Sequence, residues 1–243
     1  MSGTFRIWPF RFRKEQAAAL ISCKNIWTAL EILTALGCNK PNDVRKKAFH
    51  LFHKGLNKEV LIEVTKERIE ENGIAAFSMR ALAERLGVKT ASLYAHIESM
   101  DVLFTEVGLS ALNDQKAAQL AAIEGKDGDA AVFAPAERYR TFAKAHAALY
   151  QLIMQMPMGR NETLRAAAAM TAESSMQVLR SYPIPDDRRM DWQRVLRGVM
   201  HGFVSQESSG YFSHYPVGPE GSYRLAIQCV IDGLHKEAAR HER

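Results

Sequence analysis

Between positions 77 and 103 the chain reads FSMRALAERLGVKTASLYAHIESMDVL, and the spacing of its apolar residues leaves one outward face suited to reading DNA. Leu82, Ala83 and Leu86 line the inner side of one short helix, and Val88, Leu93 and Ile97 face inward from a second, with Gly87 between them. Glycine makes the left-handed turn that ends a helix at low steric cost. Lys89, Thr90, Ala91, Ser92, Tyr94, Ala95 and His96 are left on or near the outside. In a helix-turn-helix the first helix packs on the second, and the second projects into the major groove. The chemistry expected of this stretch is recognition of double-stranded DNA.

Such a face needs helices to hold it. Asn57 is a good N-cap for a helix over 58–72, in which Val60, Leu61, Val64 and Ile69 make the buried stripe before Gly73 stops it. Ser78 caps the next helix, and Ser99 caps a fourth that opens with Met100, Asp101 and Val102 and runs to about residue 123. The run GKDGD at 125–129 is the clearest break. Pro135 suits the first turn of a helix through Tyr139, Phe142, Ala143 and His146. Its apolar face continues through Leu149, Leu152, Ile153 and Met156 to Pro157 and Gly159. Asn161 caps a long helix ended by Pro183 and Pro185, and two more helices are expected over about 188–213 and 220–240. Ahead of all these, apolar spacing predicts helices over 24–36 and 43–54. No strand run or internal repeat is evident, and the fold class expected is all-α.

Composition narrows the function classes. At 243 residues and 47% hydrophobic content the chain can bury a sizeable core. The net charge of +5 is unevenly spread: residues 1–56 hold ten Lys/Arg against three Asp/Glu, whereas residues 57–104 hold six against eight. The surplus precedes the DNA-reading stretch, as a helper arm for phosphate or as a solvated basic tail. Cys23, Cys38 and Cys229 are scattered, which argues against a disulfide framework or a zinc site, and His50 and His53 lack a third ligand. The basic start is a poor signal peptide, and no apolar run is long enough for a membrane span. A cytoplasmic protein with no metal and no cofactor is expected. No GxSxG, HExxH, P-loop or GxGxxG pattern is present to support an enzyme.

The residues Leu82-Ala83, Gly87-Val88, Leu93-Tyr94, His96, Asp101 and Leu103 together resemble the DNA-binding domain of TetR/AcrR-type transcriptional regulators. The ending Leu-Tyr-x-His is the most particular part of that pattern. Met200-His201-Gly202, followed by Glu207, Gly210 and Phe212, resembles the ligand-binding domain of the subgroup with a Trp-His-Gly motif, with Met200 where Trp is usual. The resemblance implies a helix-turn-helix domain over 57–104 and a helical effector-binding and dimerisation domain over 105–243, and leaves residues 1–56 outside it as a basic N-terminal extension. It implies a homodimer, paired through the last two helices, that binds operator DNA and releases it on taking up a small molecule.

By the same resemblance, Ser78 and Met79 lie near backbone phosphate and Arg80 reaches the groove. Lys89, Thr90, Ala91 and Ser92 read base edges, while Tyr94 and His96 bond phosphates and set the register. Met100 stands where a phosphate-binding lysine is usual. Arg80 also has Glu84 as an i+4 salt-bridge partner. Part of the Met and aromatic content lines an effector pocket, with Phe142, His146, Tyr150, Met154, Met176, Trp192, Met200 and Phe203 as candidates. The other reading is a helical interaction protein of the same fold that has lost DNA binding, for which Met100 and the acidic first helix argue.

Overall fold

The computed structural model describes residues 55–241. The expected helices over 24–36 and 43–54, the basic arm and the His50/His53 pair lie outside the described residues. All regular structure among the described residues is helical, and no helix there is long and apolar enough to cross a membrane.

Helix α1 (Lys58–Asn72) starts where Asn57 Oδ1 accepts the Val60 amide at 2.9 Å, and Gly73, at φ 77°, ends it. A 3-10 turn (Ile74–Ala76) leads to α2 (Met79–Leu86), whose Ser78 Oγ accepts the Ala81 amide. Gly87 adopts φ 67°, ψ 27°, a left-handed conformation that strains any residue with a Cβ, and reverses the chain into α3 (Thr90–Leu93). Helix α4 (Met100–Ile123) begins at the Ser99 cap. Val60, Leu61, Leu82, Leu93, Ile97 and Leu103 are buried, so the apolar stripe of each short helix meets the others in one core.

The helical part is built around α4 and α5 (Gly128–Ala145), followed by α6 (Ala147–Gln155), α7 (Glu162–Met170), α8 (Glu173–Leu179), α9 (Asp186–Ser208) and α10 (Glu220–His241). Val132, Tyr139, Tyr150, Leu179, Leu196, Tyr223, Ile227 and Ile231 are among its buried core.

Three expectations are corrected. Pro135 lies inside α5, which starts seven positions earlier at Gly128; Ala131 and Val132 bury into the core, and Asp129 is held by Tyr182 and His235, so the added turns are anchored. The long helix after Asn161 is two helices. Thr171 Oγ1 donates to the Ala168 carbonyl and is met by Arg197, which favours a break at Thr171 and Ala172. Helix α9 ends at Ser208, not near residue 212, because Gly210 at φ 77° turns the chain and the Gly210 and Tyr211 amides close onto Glu207 and Gln206.

Candidate DNA interface and effector cleft

The α2–α3 turn sorts its side chains by burial. Leu93 is 0% exposed and Ile97 4%, whereas Tyr94 is 50% exposed, and Lys89, Ala91, Ser92 and His96 also face solvent. Thr90 is half-buried, and α3 is a single turn. Ser78 is exposed beside it. The Met79 side chain is core, only 7% exposed, so its backbone amide is what it could offer a phosphate.

The salt bridge open to Arg80 is formed: its Nε meets Glu84 Oε1 at 3.0 Å. Both side chains are well exposed, and such a pair is worth at most about 1 kcal/mol, little enough for DNA to displace. The remaining cations are largely committed. Lys58 binds Glu106 and Arg85 binds Glu71. Lys66 lies between Glu63 and Asp114; burial pulls its ammonium down, but the two carboxylates outweigh it and hold it above its usual range. Lys89 has no ion-pair partner among the described residues, and Met100, where a cation is usual in the resembling family, is exposed. Lys58 and Lys66 thus fasten α1 to α4 through Glu106 and Asp114.

A second fastening runs from α1 to α6. The Leu149 amide donates to Glu70 Oε1 at 3.3 Å, and His146 Nδ1 lies 3.8 Å from the same oxygen.

In the helical part, the Tyr150 hydroxyl is 2.8 Å from His201 Nδ1 and 3.1 Å from the Tyr139 hydroxyl. Burial, helped by the charge of Arg197, lowers the affinity of His201 for a proton and so favours the neutral ring beside the Tyr150 hydroxyl. Tyr139 also borders a cleft whose walls come from α4, α5, α7, α8 and α9. Its internal free volume is about 10 Å³, room for about one water. Leu112, Met170 and Met200 supply apolar wall; Gln115, Lys116 and Arg197 supply donors.

Of the eight pocket candidates, Met200 borders this cleft and Tyr150 is one hydrogen bond from it through Tyr139. Phe142 stacks on the His146 ring, Phe203 packs against Phe212 and Tyr223, and Trp192 covers Gly233. Met154 is exposed, and Met176 is half-buried on α8. Sequence reasoning missed Gln115, Lys116 and Arg197. It also missed Arg140, which binds Glu207 through two hydrogen bonds of 2.7 Å and Glu220 through one of 3.0 Å. A signal for these residues existed in principle, since polar groups interrupt otherwise apolar helix faces.

Comparison with known proteins agrees with this geometry. Residues 61–107 match the description "Bacterial regulatory proteins, tetR family", and residues 132–230 match "Tetracyclin repressor-like, C-terminal domain". An uncharacterised HTH-type transcriptional regulator of Mycobacterium tuberculosis is 28% identical over 156 residues, covering 64% of this chain and 72% of the relative. Among solved structures, a Rhodococcus protein of unknown function aligns with TM-score 0.61 at 21% identity, over 75% of this chain and 95% of that one. A TetR variant of Acinetobacter baumannii, solved with minocycline, aligns with TM-score 0.58 at 20% identity, over 74% and 97%. The chain belongs to the tetR family of bacterial regulatory proteins.

Proposed function

We propose that this protein is a sequence-specific repressor, released from its operator by a small molecule that enters the helical part. The observation that carries the reading is the exposed row Lys89, Ala91, Ser92, Tyr94 and His96 on a turn whose Leu93 and Ile97 are locked in the core. Lys89, Thr90, Ala91 and Ser92 read base edges, Arg80 exchanges Glu84 for a guanine edge, and Tyr94, His96 and the Ser78 end of α2 bond phosphates. The domain limits proposed are 57–104 for DNA and 105–243 for effector binding and dimerisation, with 1–56 as a basic extension.

The functional unit is a homodimer joined through α9 and α10, on which Met190, Val195 and Leu225 expose apolar surface. Two recognition helices then meet half-sites about one helical turn apart, roughly 34 Å. The effector acts by favouring a spacing that does not fit DNA. Selection of bound duplexes from a random pool tests the reading. Enrichment of a two-fold symmetric sequence is expected, and a pool that stays random at low salt would favour the interaction-protein alternative to which Met100 points.

A further inference from the structure

We infer that the cleft between α4 and α9 takes a small organic acid, its carboxylate on Arg197 and its apolar body against Leu112, Met170 and Met200. This rests on the reading of the helical part as ligand-responsive and names the chemical class of the ligand.

The first support is a missing counter-charge. Arg197 is partly withdrawn from water, and its guanidinium donates to Thr171 Oγ1, yet no carboxylate among the described residues lies within salt-bridge distance. Its neighbours in the helical part differ: Arg140, Arg188 and Arg189 are each paired with acidic side chains, and Arg138, Arg160 and Arg180 are exposed. A partly buried guanidinium without a counter-charge gains most from a planar anion, because its fork matches the two carboxylate oxygens.

The second support is a missing acceptor. Gln115, 4% exposed and bordering the same cleft, has its amide Nε2 buried without a hydrogen-bond partner. Leaving such a donor unmet is unfavourable, and an incoming carboxylate oxygen would meet it. No Asp or Glu borders the cleft, and its other cation, Lys116, is already neutralised by Glu173 at 2.5 Å. The charge of Arg197 also depresses the proton affinity of His201 after burial has done so, which marks the positive field of this region.

The apolar walls decide the rest of the ligand. Phosphate or sulfate would bring two charges to one guanidinium and set oxygen against Leu112, Met170 and Met200, whereas an acid with a hydrocarbon or aromatic body matches these walls. Since the cleft has room for only about one water, entry must part its walls. The carboxylate would replace Thr171 on Arg197, and Thr171 is the joint between α7 and α8.

The test uses the full chain with phenylacetate and octanoate at millimolar concentration, and phenylacetamide and octanamide as neutral isosteres, read by thermal shift and calorimetry. The acids should raise Tm and the amides should not. Arg197→Gln should weaken the acids by about tenfold or more, while Arg197→Lys keeps part of the affinity. Gln115→Glu places a carboxylate in the wall of the cleft that Arg197 also borders, so it should raise Tm of the free protein and abolish the response. Equal shifts by acids and amides, or none by either, would overturn the proposal; release from DNA by a neutral compound would then still leave the ligand-responsive reading standing. Conversely, an acid that binds through Arg197 without changing DNA affinity would keep the site and sink that reading.

Discussion

Glu70 caps a helix that does not belong to its own part of the chain: its Oε1 accepts the amide of Leu149, 79 positions further on, at 3.3 Å. The N-terminus of α6 has no side-chain cap of its own, since His146 supplies none, and its first amides and dipole favour an anion. Any shift of α6 is therefore felt by α1, which carries the helix-turn-helix. Glu70→Ala should cost about 1 kcal/mol in urea unfolding and weaken effector-driven release of DNA, with Glu70→Gln milder in both. Unchanged stability and release would show the contact to be incidental.

The Arg140–Glu207 pair makes a pH-dependent contribution. Burial pushes the Glu207 carboxyl up, but hydrogen bonds from Arg140 and Lys144 outweigh it and leave the carboxyl below its ordinary 4.5. A carboxylate depressed in the folded state contributes stability above its unfolded value, and the contribution is lost as pH falls through the folded one. Unfolding measured against pH should show the native chain losing stability below 4.5, and Glu207→Gln less stable at neutral pH with a flatter acid limb. Arg140→Met leaves Glu207 without its main partner and should cost about 3–5 kcal/mol by chemical denaturation.

Trp192 lies over Gly233, where α9 crosses α10, and a Cβ on Gly233 would overlap the indole ring. Gly233→Ala should destabilise the fold by about 1–3 kcal/mol in thermal unfolding. An unaffected melting curve would mean that the crossing tolerates a wider gap.

Much of this architecture was legible because local signals and tertiary packing agree. Asn57, Ser78, Ser99 and Gly87 each act where capping chemistry places them, and Leu93 and Ile97 are buried as their spacing requires. Two of the three corrections lie where long-range contacts override local preference: Asp129 anchors turns ahead of Pro135, and Arg197 reaches across to Thr171 at the helix break; the third, the end of α9, follows the local turn at Gly210. Arg140, Arg197 and Gln115 escaped notice because what matters about them is the presence or absence of a partner far along the chain. The pocket candidates rest on size and softness, which core and pocket positions share: Phe203, for one, packs edge-on against the buried Tyr223.

Met100 tests the electrostatic part of the DNA reading. It is exposed at the first position of α4, where the resembling family carries a lysine. Met100→Lys should tighten binding to every duplex and make the salt dependence steeper by about one unit of slope. No change in slope would place this helix end away from phosphate.

The most direct test of the central claim is the binding of purified protein to the promoter DNA flanking its own gene, measured across a salt series for the native chain, Tyr94→Ala and Thr90→Ala. The account predicts binding that weakens steeply with salt, a uniform loss across sequences for Tyr94→Ala, and an altered sequence preference for Thr90→Ala. Absence of binding at low salt, or equal effects of both substitutions on every sequence, would contradict it.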